Sequence, residues 1–161
     1  MLSAKEINRL AIPAILFNIT EPLIGLADIA ILGQMEKDVI AAQGGVGLAA
    51  GLIATLIWGF AQMRTAVSAI ISRHFGKKNL NPTLSLVPQS LAITLITGLV
   101  VALITSLFYG DISYFLFGQI SEKTFELSSS YFIIRSIGLP FSLGIALFFG
   151  VFRGLQNTSW A

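Results

Sequence analysis

The sequence contains no cysteine and a single histidine, and only 18 of its 161 residues are charged (10 Lys and Arg plus 8 Asp and Glu). The absence of cysteine excludes a disulfide framework and a thiolate metal site. Charged residues make up 11% of the chain, against about 25% in an ordinary soluble domain, which is too few to cover a globular surface. The basic residues are dispersed and the net charge is only +2, so we expect no nucleic-acid partner.

Apolar residues, by contrast, are abundant. Hydrophobic side chains make up 55% of the chain, with 12 phenylalanines and 15 glycines, which excludes a disordered protein. A bilayer core of about 30 Å requires about 20 mostly apolar residues per helix, and four stretches are long enough. The predicted fold is therefore an all-α membrane protein with four transmembrane helices, at about residues 10–35, 44–72, 82–110 and 123–153.

The distribution of Lys and Arg predicts the orientation, because these residues prefer the cytoplasmic side. Two of them, Lys37 and Lys123, lie in the connections on one side. Six lie at the two ends and in the middle connection: Lys5, Arg9, Arg73, Lys77, Lys78 and Arg153. We therefore expect both termini to be cytoplasmic, in a multi-pass protein of the cytoplasmic (inner) membrane. The first apolar run is too long, and too acidic, for a signal peptide.

Two carboxylates, Glu21 and Asp28, lie within the first predicted span. A carboxylate near the bilayer centre costs at least about 2.5–3.5 kcal/mol. The two acids are seven residues apart, so they share one helix face at about 10 Å of axial separation, and Asn18 and Gly25 extend the same stripe. This face is predicted to line a wet or protein-buried cavity. The alternative is a structural acid that is neutral and hydrogen-bonded, or paired with an arginine.

The same span contains Pro13 and Pro22, and each removes a backbone donor. Pro22 frees the carbonyl of Asn18, which lies on the acidic stripe. A kinked helix with a free carbonyl beside a protonatable acid is a plausible moving part, since transporter ion sites form where intramembrane helices are irregular. The alternative is that proline is simply commoner in membrane helices.

Other local features predict helix ends, a kink and close helix packing. Gly76 is expected to end the second span, and Ser121 to cap the approach to the fourth, which Pro140 should kink. Small-residue motifs at 47–51 and 150–154 match GxxxG and indicate close helix packing.

Two arginines also fall inside predicted spans. Arg64 is expected to snorkel towards the interface, and Arg135 to lie at the opposite interface. Neither is predicted to take part in chemistry.

No catalytic constellation is present. The sequence lacks a histidine cluster, an HExxH helix, a GxSxG elbow and a phosphate-binding GxxxxGK[ST] loop. We therefore expect neither an enzyme nor a bound cofactor or metal.

Several segments resemble the multidrug and toxic compound extrusion (MATE) family, most of all its DinF-like branch. In the family's first helix a Leu-Ala-x-Pro opening is followed, fifteen residues after the proline, by an acid; here these are Pro13 and Asp28. Three further segments match family loops in the same order: 73–79 (RHFGKKN), 116–118 (LFG) and 153–158 (RGLQNT).

The resemblance implies a cation-coupled exporter of small organic compounds with twelve helices in two lobes. Asp28 would be the proton or cation site, with H+ or Na+ as the coupling ion, and Pro13 the bend. Glu21 and Asn18 would line the cavity or contact substrate. The chain would then represent about a third of a transporter, the N-terminal part of one lobe, and its partners would be the C-terminal remainder and the bilayer.

Three alternatives remain. The chain could be a membrane scaffold or assembling subunit without transport of its own, or a flippase for lipid-linked precursors, which would be expected to carry more intracavity Arg and Lys. An intramembrane enzyme would need a second reactive group opposite Asp28, and none is visible in the other spans.

Overall fold

The computed structural model describes residues 12, 15–16, 19, 23, 25–35, 37–79 and 81–156, and within these the regular structure is helical. Residues 25–32 form an N-terminal helical segment. Six helices follow: α1 (Val39–Phe60), α2 (Met63–Gly76), α3 (Asn81–Leu107), α4 (Tyr109–Phe117), α5 (Glu122–Ser136) and α6 (Leu139–Gly154).

The described helices include two that are long and apolar enough to cross a membrane. These are the continuous run of α1 and α2, Val39–Gly76, and α3, Asn81–Leu107. Helices α5 and α6 make a third if the pair, bent by 49°, is counted as one span. Ten of the 26 residues of the first predicted span (10–35) lie outside the described residues, so the count of four spans and the orientation of the termini stay predictions.

The second predicted span is divided where α1 meets α2. The side-chain Nε2 of Gln62 donates a hydrogen bond to the carbonyl of Trp58 at 3.2 Å, and the amides of Arg64 and Thr65 bond three residues back instead of four. A side chain that donates a hydrogen bond to a backbone carbonyl in this way replaces a regular helical hydrogen bond. It loosens one turn of the helix without ending it. The helical run therefore continues to Gly76, the residue at which the sequence predicts its end.

The third predicted span ends earlier than expected. Helix α3 stops at Leu107, and a separate helix, α4, begins at Tyr109 within the predicted range. Phe108 breaks the run and remains 54% exposed, whereas Tyr109 is only 2% exposed and stacks on Phe132 of α5 with ring centroids 4.5 Å apart. The chain therefore turns at Phe108 because the aromatic packing of Tyr109 draws α4 onto α5.

The fourth predicted span is two helices. Ser121 caps α5, and its hydroxyl accepts a hydrogen bond from the amide of Thr124, as the sequence predicts. The bend lies between α5 and α6, and Pro140 sits in the first turn of α6, where its missing amide hydrogen costs no helical hydrogen bond.

Helices α1 and α2 pack side by side with α5 and α6, respectively, and α3 packs against α6. The buried apolar side chains form three layers along the bundle. The first contains Ala49, Leu52, Ile53, Tyr109 and Phe132; the second Ala61, Ala102, Leu139, Leu143 and Ala146; the third Val67, Ile71, Leu147 and Val151. Helix α6 contributes to the second and third layers and so forms the centre of the bundle.

Close backbone contacts at glycines hold α6 in place. A Cβ at Gly98 of α3 would lie 2.6 Å from Cα of Pro140, and one at Gly154 would lie 2.9 Å from the carbonyl oxygen of Ser68. At Gly47 and Gly51, nothing described lies within 4 Å of such an atom. Of the two GxxxG matches, therefore, the one at 150–154 lies in a helix contact, and the one at 47–51 makes no close contact of this kind with the described residues.

We predict that Gly98→Ala lowers the stability of the protein by about 1–3 kcal/mol, since the new methyl meets the rigid backbone of Pro140 and must push the helices apart. Gly51→Ala is the matched control, because it also replaces a helical glycine but has open space around it. That control should be neutral, or stabilising by up to about 1 kcal/mol through helix propensity. Thermal unfolding in detergent measures both variants, and equal melting temperatures would contradict the packing assignment.

Candidate functional site

Asp28 lies in the helical segment 25–32 and is half-buried. Its apolar neighbours on the segment are open to the surroundings: Leu26 is 63% exposed and Ile29 is 48% exposed. In a membrane protein such side chains suit lipid, whereas a carboxyl group needs a polar partner. The segment therefore turns its one described acid towards the bundle, on the face opposite Leu23 and Leu26, as helical periodicity predicts.

The partner of Asp28 is on α5. The hydroxyl of Tyr131 donates a hydrogen bond to Oδ2 of Asp28 at 3.2 Å, and the two residues are 103 positions apart in the sequence. Near the same segment, Nε2 of Gln43 on α1 approaches the carbonyl oxygen of Ile29 at 3.4 Å. The N-terminal segment is thus attached to the bundle through polar groups of two different helices.

Arg135 extends this polar group by one turn of α5. It lies four residues after Tyr131, on the same helix face, and its guanidinium interacts with the tyrosine hydroxyl. The Tyr131 hydroxyl is therefore placed between a carboxylate and a cation. Among the described residues the one ion pair within 4 Å is Lys123–Glu126, so Asp28 and Arg135 are joined through Tyr131 rather than by a direct salt bridge.

Apolar side chains of the first core layer pack against Tyr131. In this layer the ring of Phe132 is fully buried. On the next turn towards the start of α5, the hydroxyls of Ser128 and Tyr109 form a buried hydrogen bond. Because α5 is fixed on this side by aromatic packing and by a satisfied polar pair, the position of the Tyr131 hydroxyl is set by the bundle and not by the N-terminal segment.

Of the residues predicted for the coupling site, the cavity contacts and the bends of the first span, Asp28 is the one that the structure describes. Glu21, Asn18, Pro13 and Pro22 lie outside the described residues, so the cavity stripe and the bends in the first span stay predictions. Tyr131 is not among the residues predicted from the sequence, and Arg135 is predicted to lie at the interface. The available signal was the spacing of the two residues, since a tyrosine and an arginine four apart lie on one face of a helix.

The described part of the chain does not bring three His, Asp or Glu side chains together in a way that could hold a metal ion. The polar group of Asp28, Tyr131 and Arg135 offers one carboxylate, one hydroxyl and one fixed cation. In this group a carboxyl, which can exist charged or neutral, has a hydrogen-bond donor beside it.

Comparison with known proteins identifies the family of the chain. The MatE family model matches residues 13–161, nearly the whole chain. The chain belongs to the MatE family. The members of this family are transporters rather than enzymes, and we therefore describe the protein as a multi-pass membrane protein of the MatE family.

A curated relative supports the assignment. The chain is 29% identical over 160 residues to the DNA damage-inducible protein F of Escherichia coli (strain K12), an alignment that covers 96% of the chain and 33% of the relative. The chain thus spans about a third of the length of this relative. No solved structure matches the chain at a significant level.

A double-mutant cycle tests the contact between Asp28 and Tyr131. We predict that Asp28→Ala and Tyr131→Phe together cost less stability than the sum of the two single effects, with a coupling of about 0.5–1.5 kcal/mol for one hydrogen bond. Tyr114→Phe is the control, because this tyrosine is 65% exposed on α4. Denaturant unfolding gives the free energies. Strict additivity for Tyr131, as expected for Tyr114, would show that the hydrogen bond contributes nothing.

Proposed function

We propose that this MatE-family chain forms part of a cation-coupled antiporter that exports small organic, cationic or amphipathic compounds across the cytoplasmic membrane, with Asp28 as the coupling site. The observation that supports it is the hydrogen bond between Asp28 and Tyr131. It connects an acid of the N-terminal segment to a helix more than a hundred residues further along the chain, so a change of charge at Asp28 alters a contact between two elements.

The coupling step follows from the strength of that contact. An ionised carboxylate accepts a hydrogen bond about twice as strong as that to a neutral group. Protonation of Asp28, or binding of Na+ to it, therefore weakens the hold of Tyr131 on the N-terminal segment. An ion moves a conformational equilibrium only by its differential affinity for the two states. Here the two states are the segment docked on α5 through Tyr131 and the segment released from it.

Arg135 gives the docked state a second source of stability. Its positive charge lies one turn further along α5 and acts on the Tyr131 hydroxyl, which makes that hydroxyl a stronger hydrogen-bond donor to the carboxylate. When a cation binds at Asp28, it therefore meets a fixed positive charge at close range. We infer that Arg135 helps to expel the bound ion once the segment has docked again.

Four residues of the first span complete the proposal from the sequence alone: Glu21, Asn18, Pro13 and Pro22. Glu21 and Asn18 share the helical face of Asp28, which suits residues that line a cavity or contact the transported compound. Pro13 and Pro22 would supply the bend between the two forms of the first span.

The central experiment is the substitution Asp28→Asn in the native polypeptide that contains this chain. Asparagine keeps the size of the side chain and can still accept the Tyr131 hydrogen bond, but it neither takes up a proton nor carries a charge. We predict that membrane insertion is retained and that efflux driven by an H+ or Na+ gradient falls to the background rate. Transport of a fluorescent organic cation in inverted vesicles measures the rate.

Two further variants sharpen the test. Asp111→Asn removes a carboxylate on the exposed side of α4 and should leave efflux unchanged. Tyr131→Phe should slow efflux by about fivefold, the effect of losing one hydrogen bond worth about 1 kcal/mol. Vesicles with only an H+ gradient or only a Na+ gradient identify the coupling ion. Full gradient-driven efflux in Asp28→Asn would refute the coupling role.

A scaffold or assembling subunit, or a flippase for lipid-linked precursors, remains as the alternative function. The length of the curated relative favours the transporter, since the chain covers 33% of it. We predict that the native membrane polypeptide has a mass about three times the 17.3 kDa of this chain. Intact-mass measurement on the purified protein checks this, and a mass of 17.3 kDa would favour the assembling subunit.

A further inference from the structure

A second polar site lies at the other end of the bundle, between α2 and α6. It is a cavity of about 230 Å³ that opens between the two helices. Its polar lining consists of Arg64, Thr65 and Ser68 from α2 and Arg153 from α6, and Phe149 and Gly150 form its wall. This end of the molecule is not used by the coupling mechanism at Asp28.

Close helix packing creates the cavity. A Cβ at Gly150 would lie 2.5 Å from the carbonyl oxygen of Arg64 and 2.9 Å from its Cβ, so only glycine lets α6 approach this turn of α2. Arg153 follows Gly150 by three residues, so it lies almost one helical turn beyond the same contact. The two arginines thus line one cavity because of backbone packing, together with the hydroxyl-bearing residues Thr65 and Ser68 of α2.

The cavity is rich in donors and lacks a negative charge of its own. Arg64 is half-buried, and its guanidinium carbon lies 5.8 Å from the ring centroid of Phe149, a contact that offers no hydrogen-bond acceptor. Within the described ranges, neither Arg64 nor Arg153 forms an ion pair with a carboxylate. Two arginines beside two hydroxyls match the oxygens of a phosphate group, which a guanidinium binds through paired hydrogen bonds.

Three acids of the described residues lie at the end of the bundle that is far from these arginines. Asp38 precedes α1, and Glu122 and Glu126 lie in the first turns of α5, which packs beside α1. Arg64 is 25 residues beyond Val39, which corresponds to about 37 Å of helix at 1.5 Å per residue. These three carboxylates therefore do not reach the cavity, and the described lining of the cavity contains no acid.

The depth of the cavity indicates the kind of ligand. The 22 residues of α1 are apolar and span about 33 Å, enough to cross the hydrocarbon core without α2. Arg64 lies in the first turn of α2, just beyond this apolar stretch, and Arg153 lies in the last turn of α6. Both residues therefore lie at the basic end of the bundle, which also carries Arg73, Lys77 and Lys78 and is the end expected at the level of the lipid headgroups.

We propose that the cavity between α2 and α6 binds the phosphate group of an anionic phospholipid. Arg64 and Arg153 bind the phosphate oxygens, Thr65 and Ser68 donate further hydrogen bonds, and Phe149 supplies an apolar surface for the glycerol and the first acyl carbons. The position between two membrane helices favours a lipid, which reaches the cavity from the bilayer, over a phosphate ion from water. This proposal is independent of the role of Asp28.

The test is a titration of the native polypeptide in non-ionic detergent with phosphatidylglycerol, with bound lipid counted by native mass spectrometry. The double variant Arg64→Gln/Arg153→Gln should lose at least about tenfold in affinity, because two charge-assisted contacts are removed. Arg153 is exposed, so Arg153→Gln alone should fold normally and still lose about threefold or more. This single variant keeps the proposal testable if the half-buried Arg64 is needed for folding.

Arg73→Gln is the matched control, since Arg73 is an exposed arginine on α2 but does not line the cavity. It should change the affinity by less than about twofold. An equal loss in Arg73→Gln and in the cavity variants, or no loss in the double variant, would overturn the proposal. Glycerol 3-phosphate distinguishes the source of the phosphate. If it displaces the lipid at equimolar concentration, the site is one for a soluble phosphate and the lipid assignment is wrong.

Discussion

The bundle depends on the direct backbone contacts of α6 with its two neighbours. Gly150 and Gly154 bring α6 against α2, and Gly98 of α3 lies against Pro140. In a bilayer, helices gain little from exchanging lipid for another apolar surface, so close packing at small residues supplies much of the association. The second and third core layers are built around α6, and the cavity of Arg64 and Arg153 exists because α6 meets α2 with no side chain between them.

The bend between α5 and α6 then divides the molecule into two polar regions. Helix α5 packs beside α1 and carries Tyr131 to the N-terminal segment, whereas α6 packs beside α2 and carries Arg153 to Arg64. A straight helix would present one continuous face to one partner. The 49° bend instead lets each half follow the helix next to it. The region of Asp28 and the cavity of Arg64 are therefore positioned by the two halves of one broken helix.

The contacts around Asp28 differ in kind from those around α6. The bundle is held by buried apolar layers and glycine contacts, whereas the described contacts of the N-terminal segment with it include the Tyr131 and Gln43 hydrogen bonds. A polar contact changes strength with the charge state of its partners, and an apolar layer does not. This combination is what the coupling proposed for Asp28 requires, because a change of charge alters the polar contacts and leaves the apolar layers intact.

Local sequence determined the class of the protein and many helix ends. Few charges and long apolar runs specify a helical membrane protein, because the bilayer demands internally satisfied backbone groups over about 20 residues. The end of α2 at Gly76 and the cap of α5 at Ser121 also follow from neighbouring residues alone. Asp28 could be singled out because a carboxylate in an apolar run is costly wherever the rest of the chain lies.

Only the tertiary structure decided which residues meet. The partnership of Asp28 with Tyr131 joins positions 103 residues apart, and it depends on how two helices are rotated against each other, which helical periodicity does not specify. For the same reason, two identical GxxxG patterns have different environments, one in a helix contact at Gly150 and the other without a described neighbour at Gly51. The sequence predicts that Arg64 is a single arginine that snorkels towards the interface. Helix packing places Arg64 and Arg153 in the lining of one cavity, which is the proposed binding site.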